Sequence, residues 1–99
     1  MHDPRNTGDL QEDVGRRLSH ARQAFGLDRQ QFGVRAGLSQ PQYHQFEKGK
    51  RLLTLRAAMK LCDEYSLTLD WIYRGDPSGL PYRMWDKTRA VAEADTGSR

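Results

Sequence analysis

A single cysteine, Cys62, leaves this 99-residue chain unable to form an intrachain disulfide or to assemble a cysteine-based metal cluster within itself. Its expected role is that of a small hydrophobe on a helix rather than a reactive thiol. No apolar run approaches the length of about 20 residues that a membrane-spanning helix needs. The opening stretch MHDPRNTGDLQEDVG lacks the apolar core of a signal peptide, so a cytoplasmic chain is expected. Alternating strand patterns of useful length are also missing, which argues against a sheet and for an all-α fold. A chain this short builds one core, and one domain has to carry the function.

Acid is scarce in the middle of the chain. Between residues 16 and 60 ten Lys or Arg face only Asp28 and Glu47, a local net charge of +8 in a chain whose total is +3. The rest of the chain is net acidic. Such a basic block is the electrostatic footprint of a polyanion partner, although a solvated charged surface would show the same composition.

What is present is helical punctuation. Residues 1–8 and 93–99 read as polar tails. Between them a first helix is expected over Leu10–Phe25, capped by Asp9 and stopped by Gly26, with Leu10, Val14, Leu18, Ala21 and Phe25 facing inward. Asp28 caps a short second helix carrying Phe32 and Ala36 and ending at Gly37. Ser39 caps a third, Gln40–Lys48, where Pro41 is tolerated because the first turn has no intrahelical amide partner to lose. Thr54 caps a fourth, with Leu55, Ala58, Met59, Cys62 and Tyr65 at helical spacing, and Thr68 caps a brief fifth, Leu69–Tyr73. After the turn-rich stretch Gly75–Gly79, residues 76–99 form an extension in which Leu80–Ala92 is a further helix candidate.

The string RQQFGVRAGLSQPQYHQFEK, Arg29 to Lys48, has the spacing of a helix-turn-helix. Gly33 is the small residue at the helix crossing, Gly37 makes the turn, and Phe32, Ala36, Leu38, Tyr43 and Phe46 take the inward positions. Together with FGLDRQQFG, GLSQ, QFEKGKR and LTLDWIYRGD, in that order, this segment resembles the lambda-repressor-like (Xre/Cro) family of transcription regulators from about Val14 to Gly75. The resemblance implies a five-helix DNA-binding domain over residues 9–75, whose third helix enters the major groove. It also implies a homodimer, at least on DNA, bound to a palindromic or repeated operator.

Helical periodicity puts Tyr43, Phe46 and Glu47 on the core side of the third helix and Pro41, Gln45 and Lys48 opposite, flanked by Gln42 and His44. The resemblance assigns base contacts to Gln40, Pro41, Gln42, His44 and Gln45. A glutamine amide matches the N6/N7 edge of adenine, so three glutamines point to A·T pairs in the operator, while Pro41 offers only apolar contact. Arg29, Lys48, Lys50 and Arg51 are expected on phosphates, where they position without reading sequence. Arg22 and Glu47 match a family ion pair tying the first helix to the third, and a buried Glu47 would require such a partner. Arg16 and Arg17 read as solvated charges.

His2 and His20 are not placed to join His44 on a metal, no cofactor is implied, and no nucleophile with a base appears, so an enzyme is not expected. A second domain of the kind that binds an effector is not expected from these residues. The reading is a transcriptional regulator of the repressor type. The alternative is an antitoxin-type DNA-binding protein that also holds a protein partner through residues 76–92, where Leu80, Tyr82, Met84 and Trp85 cluster.

Overall fold

The computed structural model describes residues 7–97, which form six helices and no strand. These are α1 (Thr7–Ala24), α2 (Arg29–Arg35), α3 (Gln40–Glu47), α4 (Leu55–Tyr65), α5 (Leu69–Arg74) and α6 (Tyr82–Gly97). Most of the expected tail 1–8 lies outside the described residues, whereas residues 93–97 of the other expected tail are helical.

Side-chain caps start the four middle helices. Asp28 accepts from the Gln31 amide while the Gln31 side chain accepts from the Asp28 amide, a reciprocal capping box that gives the seven-residue α2 a defined start. Ser39, Thr54 and Thr68 cap α3, α4 and α5 through the amides of Gln42, Ala57 and Trp71. Helix α1 differs from expectation. It begins at Thr7, so Asp9 lies inside its first turn, where a carboxylate still complements the helix dipole without being the cap.

The core unites all six helices. Val14, Leu18 and Ala21 of α1, Phe32 of α2, Tyr43 and Phe46 of α3, Leu61 of α4 and Ile72 of α5 are almost wholly buried. Phe32 and Tyr65 stack with centroids 4.1 Å apart, and the Tyr65 hydroxyl donates to the Phe32 carbonyl at 2.7 Å. Phe25, expected on the inner stripe, remains 39% exposed; it lies on the rim of this cluster, 4.8 Å from the Tyr65 ring.

Helix α4 is turned relative to the expected stripe. Ala57, Ala58, Leu61 and Tyr65 face inward, whereas Leu55 and Met59 are exposed and Cys62 is only half-buried. Residues 57, 58 and 61 precede Tyr65 at helical spacing and share the face that the Tyr65–Phe32 contact turns toward the core.

The chain beyond Gly75 is part of the fold rather than an appendage to a five-helix domain. Leu80 and Met84 enter the core, and α6 packs along α1. The Thr88 hydroxyl satisfies itself on the Met84 carbonyl at 2.8 Å, which lets a polar residue be buried there. Helix α6 continues through residue 97, past the point where a polar tail was expected. Of the four residues that suggested a partner-binding segment, Leu80 and Met84 are buried, Trp85 is half-buried and Tyr82 alone is widely exposed.

Candidate nucleic-acid interface

Two short helices and a four-residue turn present one outward surface. Helix α2 ends at Arg35, and the backbone reverses through Gly37, whose φ of 85° is in the left-handed region that a Cβ disfavours. The Leu38 amide returns to the Gly33 carbonyl at 2.9 Å, closing the turn and dropping the Leu38 side chain into the core. Gly33 then meets Tyr43 so closely that a Cβ on it would lie 2.8 Å from the Tyr43 Cβ. Any larger residue would push α3 away from α2.

A second close approach, which sequence reading missed, seats α3 on α1. A Cβ on Gly15 would lie 2.5 Å from the Glu47 carbonyl oxygen and 3.0 Å from that of Phe46. The signal was available: a glycine in the interior of a helix costs about 1 kcal/mol relative to alanine and calls for a packing reason.

Glu47 is the polar pin of the assembly. Arg22 of α1 grips it with Nε to Oε1 at 2.8 Å and Nη2 to Oε2 at 3.1 Å, while Arg22 Nη1 donates to the Leu27 carbonyl at 3.0 Å. Arg29 of α2 adds Nε to Oε2 at 3.0 Å, and the buried Tyr43 hydroxyl donates to Oε1 at 2.7 Å. Three helices thus converge on one carboxylate. Burial alone would favour protonating Glu47, but the hydrogen bonds from Arg22, Tyr43 and Arg29 together outweigh it and hold the carboxyl below its ordinary range. The Tyr43 hydroxyl is pushed upward by burial and then by the Glu47 charge, so it stays a donor. Sequence reading had paired Glu47 with Arg22 alone, and nothing in the spacing pointed to Tyr43 or Arg29 as further donors.

With Tyr43, Phe46 and Glu47 turned inward, α3 exposes Gln40, Pro41 and Gln42 and leaves His44 and Gln45 half-exposed. Lys48, Lys50 and Arg51 are exposed beyond its end. The amides of Lys50 and Arg51 both donate to the Gln45 carbonyl, at 3.0 and 3.3 Å, so the basic loop folds back over the last turn of α3. The backbone that carries these two cations is therefore held beside Gln45 rather than trailing away from it. At the other end a hollow of about 390 Å³ opens between Arg22, Asp28, Arg29, Gln30 and Gln40. Arg29 borders it while tied to Glu47 and keeps a side chain 40% exposed. Arg17, read as a solvated charge, is instead half-buried, with Nη1 donating to the Ile72 carbonyl at 2.9 Å.

A family profile described as a helix-turn-helix domain matches residues 13–70, more than half of the chain. The chain belongs to that helix-turn-helix family. No curated protein and no solved structure matches it. The matched segment of the helix-turn-helix domain runs from the first turns of α1 into α5 and so contains every residue of the surface just described. Membership points to DNA as the partner and to transcription regulation as the setting. No helix among the described residues is long and apolar enough to cross a membrane.

Proposed function

We propose that the protein is a lambda-repressor-like regulator, of the repressor type, that binds a specific duplex sequence through α3. The observation that carries this reading is the division of α3 into a buried face pinned by Glu47 and an exposed face of amides, with exposed cations following its end. Gln40, Gln42 and Gln45 offer paired donors and acceptors to base edges, His44 a further polar group, and Pro41 an apolar surface for a thymine methyl. Arg29, Lys48, Lys50 and Arg51 flank that row at its two ends and fit the role of phosphate contacts that fix register. A cytoplasmic homodimer on a palindromic or repeated operator follows from the same family likeness, since one such helix reads only a half-site.

Selection from a random duplex pool tests the reading directly. The expected result is an enriched motif with A·T pairs at the contacted steps and two half-sites at a fixed separation near one helical turn, about 10 base pairs. A pool that enriches no motif, or RNA that competes as well as the selected duplex, would overturn it.

A further inference from the structure

Helices α1, α5 and α6 enclose an open cleft of about 560 Å³, lined by no residue of α3, that the helix-turn-helix reading leaves unused. Its volume falls in the range of small-molecule sites, about 300–1,000 Å³. Both tryptophans of the chain, Trp71 and Trp85, line it, together with His20, Arg17 and Arg89. Arg16 and Glu93 complete the rim. Several of these charges are already engaged: Arg16 with Asp13, Arg89 with Asp86 and Glu93, and His20 with Asp95.

Arg17 is different. It is half-buried and anchored by Nη1 on the Ile72 carbonyl, and Gly75 lies so close that a Cβ there would stand 2.9 Å from Nη2. Its Nε and Nη2 make no hydrogen bond or ion pair within the described residues. No buried side-chain nitrogen of the described residues lacks a partner, so Nε and Nη2 both keep some exposure on the wall of the cleft, beside Gly75, where a Cβ would lie 2.9 Å from Nη2 and 3.2 Å from Nε. The same chain shows what such an arrangement does when it is filled. One helical stretch later, Arg22 is anchored by Nη1 on the Leu27 carbonyl, and its Nε/Nη2 edge holds the Glu47 carboxylate in a two-point grip. Arg17 has the anchor without the carboxylate. Partial burial disfavours its charge, against the opposing effect of Asp13, so an anion placed there would be bound by a guanidinium already fixed and partly stripped of water.

We propose that the α1–α5–α6 cleft binds a small planar aromatic carboxylate, with its carboxylate on the Nε/Nη2 edge of Arg17 and its ring against the indoles of Trp71 and Trp85. The half-buried Trp85 supplies flat apolar surface and Trp71, 5% exposed, only an edge, and aromatic pairs add to what burial contributes. The ligand class follows from that combination of one open guanidinium edge and two indoles.

The test uses the full chain, 2-naphthoate as probe and its uncharged analogue 2-naphthamide as control. Binding is followed by calorimetry and by the amide and indole N–H resonances in a two-dimensional NMR titration. Saturable binding of one naphthoate per chain is expected, with Kd of roughly 1 mM or tighter, and both indole N–H signals should move. Naphthamide, and naphthoate on Arg17→Met, should each bind at least about tenfold more weakly. Ala92→Phe narrows the cleft without touching Arg17 or its anchor, and it should abolish binding while the spectrum stays dispersed; it decides the matter should Arg17→Met fail to fold. Equal affinity for acid and amide, shifts confined to residues outside α1, α5 and α6, undiminished binding to Ala92→Phe, or no saturable binding would each overturn the proposal. No DNA enters the measurement, so its outcome is separate from that of the α3 reading.

Discussion

Replacing Glu47 tests the pin that holds α3, and the structure sets the size of the effect. Glu47→Leu removes the acceptor of four hydrogen bonds, two from Arg22 and one each from Arg29 and Tyr43. It leaves two guanidinium groups facing each other and a buried hydroxyl without its acceptor. The Arg22 side chain is only 17% exposed, so water cannot fully restore its hydration. Breaking a buried pair by removing one partner costs about 3–5 kcal/mol, and about 4 is expected here. At roughly 4–8 °C per kcal/mol for a domain of this size, Tm should fall by about 15–30 °C. Arg22→Met should be milder, about 2 kcal/mol, because Arg29 and Tyr43 still hold the carboxylate. The double variant removes both charges of the pair and should lose about 3–4 kcal/mol, well short of the sum. A thermal or urea double-mutant cycle measures the coupling. A coupling below about 0.5 kcal/mol would refute the claim that these groups depend on one another.

Further outcomes follow from the same geometry. Gln45→Ala should weaken binding to the selected duplex by about 1–3 kcal/mol and relax preference at one base position, with Tm unchanged; parental affinity in a binding titration would remove Gln45 from the interface. Arg51→Ala should reduce affinity for specific and unrelated duplexes alike, and the slope of log affinity against log salt should shrink by about one; lost sequence preference at an unchanged slope would make it a base reader instead. Gly15→Ala should destabilise the fold and weaken DNA binding together, since a methyl at 2.5 Å from the Glu47 carbonyl forces α1 and α3 apart; a stability gain, as alanine normally gives inside a helix, would contradict that contact. Because Glu47 is held below its ordinary range, its contribution is complete above about pH 5 and fades as pH falls through the ordinary value of about 4.3 to the lower folded value. The Tm gap between the parent and Glu47→Gln should therefore narrow on going from neutral pH to about pH 3, and a constant gap would show that the charge is not what stabilises.

Much of this fold was legible because it is written in local chemistry. Asp28, Ser39, Thr54 and Thr68 each cap a helix through a bond spanning three residues, and such bonds need no knowledge of the rest of the chain. Orientation about a helix axis is a different matter. Leu55 and Met59 are apolar and helically spaced, yet the stacking of Tyr65 on Phe32, 33 residues away in sequence, turns them outward. Helix α6 could be read as a candidate over Leu80–Ala92, but its place in the fold could not, because the burial of Met84 and Thr88 depends on packing against distant elements such as α1. At α3 the composition of the outer face could be read directly. The convergence of Tyr43 and Arg29 on Glu47, the seat at Gly15 and the folding of Lys50 and Arg51 over Gln45 could not, because each joins elements whose distance apart the sequence leaves open.

The contact at Gly15 also bears on how such a protein can change what it recognises. The crossing of α1 and α3 is closed by main-chain oxygens of Phe46 and Glu47, atoms that every amino acid possesses. The depth to which α3 projects from the body is thus independent of the residues at 40, 41, 42, 44 and 45. On the proposed reading of α3, those five positions could be rewritten while the mounting beneath them stays the same, so target preference and structural integrity would be free to evolve on separate clocks.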